Sequence, residues 1–296
     1  MAKIVYLCTK IILVVMKDRK QSLLYLEMKT HQLKVPYTGK MRRVRVLLPA
    51  DYDEHPDAAY PVVYMHDGQN VFHSREAYSG HSWKVVETIR RNPDMPKMIV
   101  VGIDNDEDNR MNEYAPWRFT DLPELSFDYS VGGVGSEYAA FVMQVIKPFI
   151  DSEYRTKTDK AHTVMIGSSL GANITQYMGL AYKDKIGGLG VFSSANWLNL
   201  EQFERYIKKF TLDEHQRVYI EVGTQEGDDT DKGLTYGNVK QSYISASLDY
   251  YRQLIDAGMP TENISLNVIA EGTHSEECWA AFLPECLRFL SEMWGE

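Results

Sequence analysis

Two short segments, Met98-Ile-Val-Val and Thr163-Val-Met-Ile, are apolar or β-branched at successive positions rather than at every second one. A strand with water on one face alternates. A strand covered on both faces does not, and such cover is typical of parallel sheets wrapped by helices. Around these segments, β-rich runs at 29–36, 41–49, 60–66, 97–104, 161–166, 188–193, 217–223 and 264–270 interleave with helical patterns at 79–92, 136–151, 170–182, 199–209, 237–257 and 275–294. In 237–257, Val239, Tyr243, Ile244, Leu248, Tyr251, Leu254 and Ile255 share one helical face, and Trp279, Phe282, Leu283, Cys286, Leu287 and Leu290 do so in the last segment. The first two β runs alternate and read as an antiparallel pair. The expected fold is α/β: a mostly parallel sheet of about eight strands, with N-terminal antiparallel strands and helices on both faces. Pro148 should disturb the end of the 136–151 helix.

Composition narrows the class. Of 296 residues, 44% are hydrophobic and 25% charged, which excludes disorder and small disulfide scaffolds. The longest aliphatic run, Ile11–Val15, is far short of the roughly 18 to 20 residues that span a bilayer. The net charge of −9 opposes nucleic-acid binding. The basic cluster Lys40–Arg45 (KMRRVR) alternates with apolar residues and reads as a strand with one solvated face. Cys278 and Cys286 lie about 12 Å apart along a helix, too far for a disulfide. With Cys8 they are expected to be free thiols in a reducing cytoplasm. Lys10 interrupts the apolar N-terminal stretch, so no signal peptide is expected there.

Residues 1–27 read as an extension or extra strands, and 28–296 as one domain. Within it, residues 105–135 are longer than an ordinary loop but carry Tyr114, Trp117, Phe119 and Phe127, which argues for a lid or substrate-binding excursion. Trp117, and Trp197 just past a strand, are candidates to line a substrate pocket together with Tyr114. Trp279, on the apolar face of the last helix, reads as core.

Chemistry enters with Gly167-Ser168-Ser169-Leu170-Gly171. Only Ser169 has glycine at both −2 and +2, where side chains would collide around a nucleophile held in a sharp strand-to-helix turn. An apolar strand precedes it and a helical pattern follows. A serine hydroxyl needs an adjacent base and a group that orients the base. After Ser169 the chain has two histidines. His215 precedes a strand, at the wrong end of the sheet, whereas His274 follows one in Glu271-Gly-Thr-His and is the expected base. The loop after 217–223 offers Glu226, Asp228 and Asp229 as the acid, and position alone favours Glu226. One oxyanion N–H should come from Leu170, and the other from the loop Asp67-Gly68-Gln69-Asn70, where Gly68 would let the backbone approach substrate.

Together these residues resemble the esterase family of α/β-hydrolases that includes esterase D, feruloyl esterases, siderophore trilactone esterases and mycolyltransferases. The resemblance rests on Tyr64-Met-His-Asp-Gly-Gln-Asn-x-Phe72, Glu113-Tyr-x-Pro-Trp117, Gly167-Ser-Ser-Leu-Gly171, Phe192-Ser-x-x-x-Trp197 and Gly272-x-His-x-Glu-x-x-Trp279, and covers about residues 29 to 294. It implies an α/β-hydrolase fold and a serine carboxylesterase. Ser169 would be nucleophile, His274 base and Glu226 acid, with Gln69 and Leu170 donating to the oxyanion. Asp228 and Asp229 compete with Glu226, and Ala172 stands where many relatives have a further glycine. Implied substrates span short acyl esters, hydroxycinnamoyl esters, thioesters and siderophore lactones.

The remaining patterns argue for little else. Asp104, Asp106 and Asp108 mimic a calcium loop, but Asn109 and Ala115 occupy its glycine and glutamate positions. No H-E-x-x-H, C-x-x-C or Walker A pattern occurs, so neither metal nor cofactor is expected. His66, His73 and His81 read as surface or hydrogen-bonded histidines. Acyl transfer to an alcohol, or non-catalytic binding on a hydrolase fold, are the competing functions. The residues set no oligomeric state.

Overall fold

The computed structural model describes residues 28–119, 131–209, 215–227 and 238–295. Residues 1–27, Phe127, Asp228 and Asp229 lie outside them. The strands are β1 (Met28–Lys34), β2 (Met41–Leu47), β3 (Val62–His66), β4 (Ile99–Ile103), β5 (Thr163–Ser168), β6 (Gly188–Phe192), β7 (Arg217–Gln225) and β8 (Ile264–Thr273). They form one sheet in the order β1-β2-β4-β3-β5-β6-β7-β8. The β1–β2 and β2–β4 pairs are antiparallel, and the other pairs are parallel.

Alternate residues of each central strand face two separate cores. Tyr64, Val101, Met165, Val191 and Ile220 pack on one side, with α3 (Gly135–Phe141), α4 (Lys147–Glu153), α5 (Leu170–Ala181) and α7 (Val239–Asp256). Val63, Val100, Val164, Ile166 and Phe192 pack on the other, against α1 (Val85–Arg91) and α8 (Glu276–Ser291). Two apolar faces are why these strands read as continuously apolar. Among the described residues, no helix is long and apolar enough to cross a membrane.

Three local expectations are corrected. The helix expected over 79–92 starts only at Val85, because Gly80 (φ 76°) and Lys84 (φ 50°) are left-handed. The disturbance expected at Pro148 falls just before it, in the middle of the helix and not at its end. Val142–Ile146 widens into a π turn, in which the Lys147 N–H donates to the Val142 carbonyl, and α4 then continues to Glu153. Two of the three arginines of β2 are not on a solvated face, since Arg42 and Arg45 are each 3% exposed, while Arg43 is exposed. Arg42 makes two 2.9 Å bonds to Glu113, the last residue of the short helix α2 (Arg110–Glu113). Arg45 pairs with Asp104 at 2.7 Å, Arg43 shares that carboxylate, and Lys40 holds Asp106. Two of the three aspartates that resemble a calcium loop, Asp104 and Asp106, are therefore paired with cations in or beside β2.

The excursion at 105–135 is partly core. Tyr114, Ala115 and Phe119 are buried, and the Phe119 N–H donates to the Val131 carbonyl at 3.0 Å. Glu113, with no exposed surface, also accepts from the Tyr37 hydroxyl at 2.7 Å. Removing one partner of a buried pair leaves the other charge uncompensated. Glu113→Ala should therefore cost about 3–5 kcal/mol in urea unfolding, whereas the joint Arg42→Met, Glu113→Leu variant should lose distinctly less. Equal losses would contradict this account of the pair.

Candidate active site

The carboxyl ends of β3, β5, β7 and β8 meet at one edge of the sheet. At the end of β5, Ser169 has φ 57° and ψ −127°, outside the conformations an L-residue ordinarily adopts, and α5 begins at Leu170. Gly167 makes the turn possible, because a Cβ there would lie 2.3 Å from the Gly171 oxygen. Gly171 itself has room, since a Cβ would meet nothing nearer than Asp67 Oδ2 at 3.5 Å. The collision expected at both glycines thus occurs at one. The Ser169 N–H donates to the Phe192 carbonyl at 2.9 Å, which locks the turn to β6.

The acid and the histidine come from β7 and β8. A Cβ on Gly223 would lie 2.2 Å from the Gly272 oxygen, so only glycine allows the two strand ends to approach this closely. Beyond them, His274 Nδ1 lies 2.6 Å from Glu226 Oε2. Glu226 is fully buried, and its other oxygen accepts from Ser193 Oγ at 2.5 Å and from the Gly223 N–H at 2.7 Å. Ser193 Oγ in turn accepts from Trp279 Nε1 at 2.8 Å. With Glu226 as acceptor, the Nδ1 proton is held toward it, and Nε2 lies 3.5 Å from the Tyr243 hydroxyl. The imidazole sits between the Tyr243 ring at 4.4 Å and the Trp279 ring at 5.0 Å.

At the end of β3, Asp67 is left-handed (φ 54°), and the turn Gly68–Asn70 follows. The Asp67 N–H donates to the Tyr114 hydroxyl at 3.1 Å, and its carboxylate takes two 2.8 Å bonds from Arg110 and one of 2.5 Å from Asn105. Arg110 holds this carboxyl below its ordinary range despite burial. Gly68 is glycine for a different reason from the one expected. A Cβ would lie 2.6 Å from the Gly102 backbone, so the close approach is to β4. The N–H groups of Gln69 and Leu170 each precede the first hydrogen-bonded donor of their helical turn, so neither has an acceptor within it.

Ser169 and His274 line one cavity of about 460 Å³, together with Gln69, Asn70, Tyr78, Ser79, Asn105, Glu107, Arg110, Met111, Glu276 and Trp279. Of the aromatic rings expected there, Tyr114 is fully buried beneath Asp67. Trp117 packs edge-on against Phe203 at 5.0 Å and Tyr206 at 5.2 Å. Trp197 packs on Tyr243 at 4.2 Å, behind the imidazole. The described lining of the cavity includes none of the three. It does include Trp279, read from sequence as core only. Asn105, Glu107, Arg110 and Met111 were hidden inside the excursion, although Arg110 stands three residues before the Glu113-Tyr114 motif. His66 is buried against the Tyr138 hydroxyl at 2.9 Å, and burial pushes its imidazole down to about 4. A more apolar cavity of about 360 Å³ lies between Leu48–Asp51 and Asn92–Met98, at the other end of β4 and away from these groups.

A mostly parallel sheet with a serine turn after its central strand and a polar cavity at its carboxyl edge defines an α/β-hydrolase. The chain belongs to the Esterase family, described as "Putative esterase", which matches residues 36–290, and it is a carboxylic ester hydrolase acting on a small-molecule ester. It is similar to the uncharacterized protein YbbA of Bacillus subtilis (strain 168), with 22% identity over 84% of this chain and 92% of that protein. Among solved structures, it resembles an IroE-like serine hydrolase from Shewanella oneidensis, with TM-score 0.70, 20% identity, and 88% and 79% of the two chains covered. It also resembles the siderophore hydrolase EstA from Aspergillus nidulans, with TM-score 0.69, 16% identity, and 90% and 94% covered. At these identities the structural likeness speaks for the fold.

Glu221, in β7, was read from sequence as part of an apolar strand. It is fully buried, and neither carboxyl oxygen has a hydrogen-bond partner among the described residues. Burial, then the nearby Glu226, push its carboxyl from 4.5 up to about 8. It is therefore protonated at neutral pH, and the half-buried Cys278 thiol nearby is raised chiefly by burial. Between 4.5 and about 8 the unfolded carboxyl releases its proton while the folded one keeps it, so the contribution of Glu221 to stability falls across that window and is level above it. Glu221→Gln cannot titrate. Its melting temperature relative to wild type should rise by several degrees between pH 5 and pH 8.5, and a difference that is flat with pH would show that Glu221 does not hold its proton.

Proposed function

We propose that the cavity hydrolyses its ester through an acyl-enzyme on Ser169. The observation that carries this reading is the buried Glu226 carboxylate 2.6 Å from Nδ1 of His274, at the cavity shared with the strained Ser169 turn. Ser169 Oγ attacks the ester carbonyl carbon while His274 Nε2 accepts its proton. Glu226 orients the imidazole and stabilises the imidazolium that forms. The N–H groups of Gln69 and Leu170 donate to the oxyanion of the tetrahedral intermediate. His274 then passes the proton to the leaving alcohol, and water repeats the sequence to release the acid and restore Ser169.

The lining also bears on the substrate. Outside the catalytic groups it offers Ser79, Asn105, Glu107, Arg110 and Glu276, with Tyr78, Met111 and Trp279 as its apolar surfaces. Burying a long hydrocarbon chain against so many polar groups would strip them of water without replacing their hydrogen bonds. A short or polar acyl group fits better.

Four outcomes test the reading. Ser169→Ala should lower kcat/KM on p-nitrophenyl acetate by at least about 10³-fold, with the fold retained by circular dichroism. A fluorophosphonate should add its phosphonyl mass to wild type and not to that variant. Equal labelling of the two would move the nucleophile elsewhere. Across p-nitrophenyl esters, kcat/KM should fall from acetate and butyrate to decanoate, and a rise with chain length would refute the polar cavity. With competing alcohols present, free acid should remain the main product. An excess of acylated acceptor would reassign the second half-reaction to transfer.

A further inference from the structure

In the sheet order, β5, β6 and β7 stand between β3, which delivers the oxyanion turn, and β8, which delivers His274. Four inter-strand spacings amount to about 19 Å, so strand pairing alone leaves the His274 loop far from the turn it must serve. Side-chain contacts close the gap, and one of them starts beside the oxyanion turn itself. Asn70, next to Gln69, donates from Nδ2 to Glu276 Oε1 at 2.8 Å, across 206 residues of sequence. Glu276 is two residues past His274 and opens α8.

Both partners are fixed from behind. The Asn70 N–H donates to the Asp67 carbonyl at 2.7 Å, its carbonyl accepts from the Trp83 N–H at 2.8 Å, and its Oδ1 accepts from the Tyr78 N–H at 3.0 Å. Glu276 Oε2 accepts from Ser79 Oγ at 2.8 Å. Ser275, the N-cap of α8, accepts from the Cys278 N–H at 3.3 Å. Asn70, Ser79 and Glu276 all line the cavity, so the contact lies beside the reacting atoms.

We propose that Asn70 and Glu276 form a strut that sets His274 in register with the oxyanion turn. They are positioning residues for the ester hydrolysis proposed above, on which this inference rests. The strut has a polarity, with the amide donor on the β3 side and the carboxylate acceptor on the β8 side, and a hydrogen bond to a carboxylate is roughly twice as strong as one between neutral groups. The transition state needs the base and the oxyanion donors placed together, whereas ground-state binding needs them far less. Loss of the strut therefore acts on kcat more than on KM.

The test exchanges the two ends. Asn70→Asp sets carboxylate against carboxylate and should lower kcat about 10²-fold, the scale of an ångström misplacement, with KM little changed. Adding Glu276→Gln returns one amide and one carboxylate to the contact with the direction reversed, and should bring kcat back to within about tenfold of wild type. Activity is normalised to sites titrated with a fluorophosphonate. Losses that simply add in the double variant, or a kcat unchanged in Asn70→Asp, overturn the strut. So does a lowered melting temperature with kcat per titrated site intact, which is the mark of a merely structural contact. If Asn70→Asp does not fold, Glu276→Ala replaces it, with kcat expected to fall about tenfold and an unchanged kcat refuting the proposal. Labelled wild type with additive losses removes the strut alone, whereas wild type that is neither labelled nor active on any ester removes the Ser169 reading and the strut with it.

Discussion

Gly167 lies so close to the Gly171 carbonyl that any side chain there would overlap it, and the turn this contact permits holds Ser169 at φ 57° and ψ −127°. A non-glycine residue in such a conformation costs of order 1–3 kcal/mol and persists only where its surroundings over-determine it. Here they do. The Ser169 N–H is bonded to β6, Thr175 Oγ1 donates to the Gly171 carbonyl at 2.8 Å, and α5 is packed against the sheet along its length. The strain lifts the hydroxyl out of the sheet edge while leaving the backbone rigid.

The same device recurs around the cavity. Asp67, Ser169, Ser193 and Glu271 are four of the five described non-glycine residues with positive φ, and they lie at the carboxyl ends of β3, β5, β6 and β8. In each the strained residue has its N–H hydrogen-bonded. Asp67 donates to the Tyr114 hydroxyl, Ser169 to the Phe192 carbonyl, Ser193 to the Glu221 carbonyl, and Glu271 to Thr224 Oγ1. The cost of each turn is therefore offset locally, by a partner on a neighbouring element. Tyr114 belongs to this set, which is why a ring that reads as a pocket wall serves as a support.

The sheet was legible because its central strands are short apolar runs and its first two alternate, and the expected places of Ser169, Glu226 and His274 follow once strand ends are known. Features that depend on a partner distant in sequence were not legible. Arg42 and Arg45 sit in a run where basic and apolar residues alternate, and Glu113 and Asp104, some sixty to seventy residues later, and Glu76 pair with them. Trp117 looked free in a polar excursion until Phe203 and Tyr206 closed around it. Glu221 was hidden by its own strand, since nothing local distinguishes a buried acid from a surface one. Gly68 showed that a glycine was required but not which backbone it would approach.

Asp67, Glu221, Glu226 and Glu276 are each restrained by a different means. Arg110 neutralises Asp67. Burial keeps Glu221 protonated. Glu276 is engaged on both oxygens by the neutral donors Asn70 and Ser79. Glu226 accepts from Ser193 and from the Gly223 N–H on one oxygen, and alone of the four turns a carboxylate oxygen toward an imidazole. In a low-dielectric pocket, four free charges would repel one another and compete for the imidazolium. Dividing them among an ion pair, a proton, neutral donors and the histidine leaves Glu226 as the one of the four that faces the imidazole which the proposed mechanism would charge.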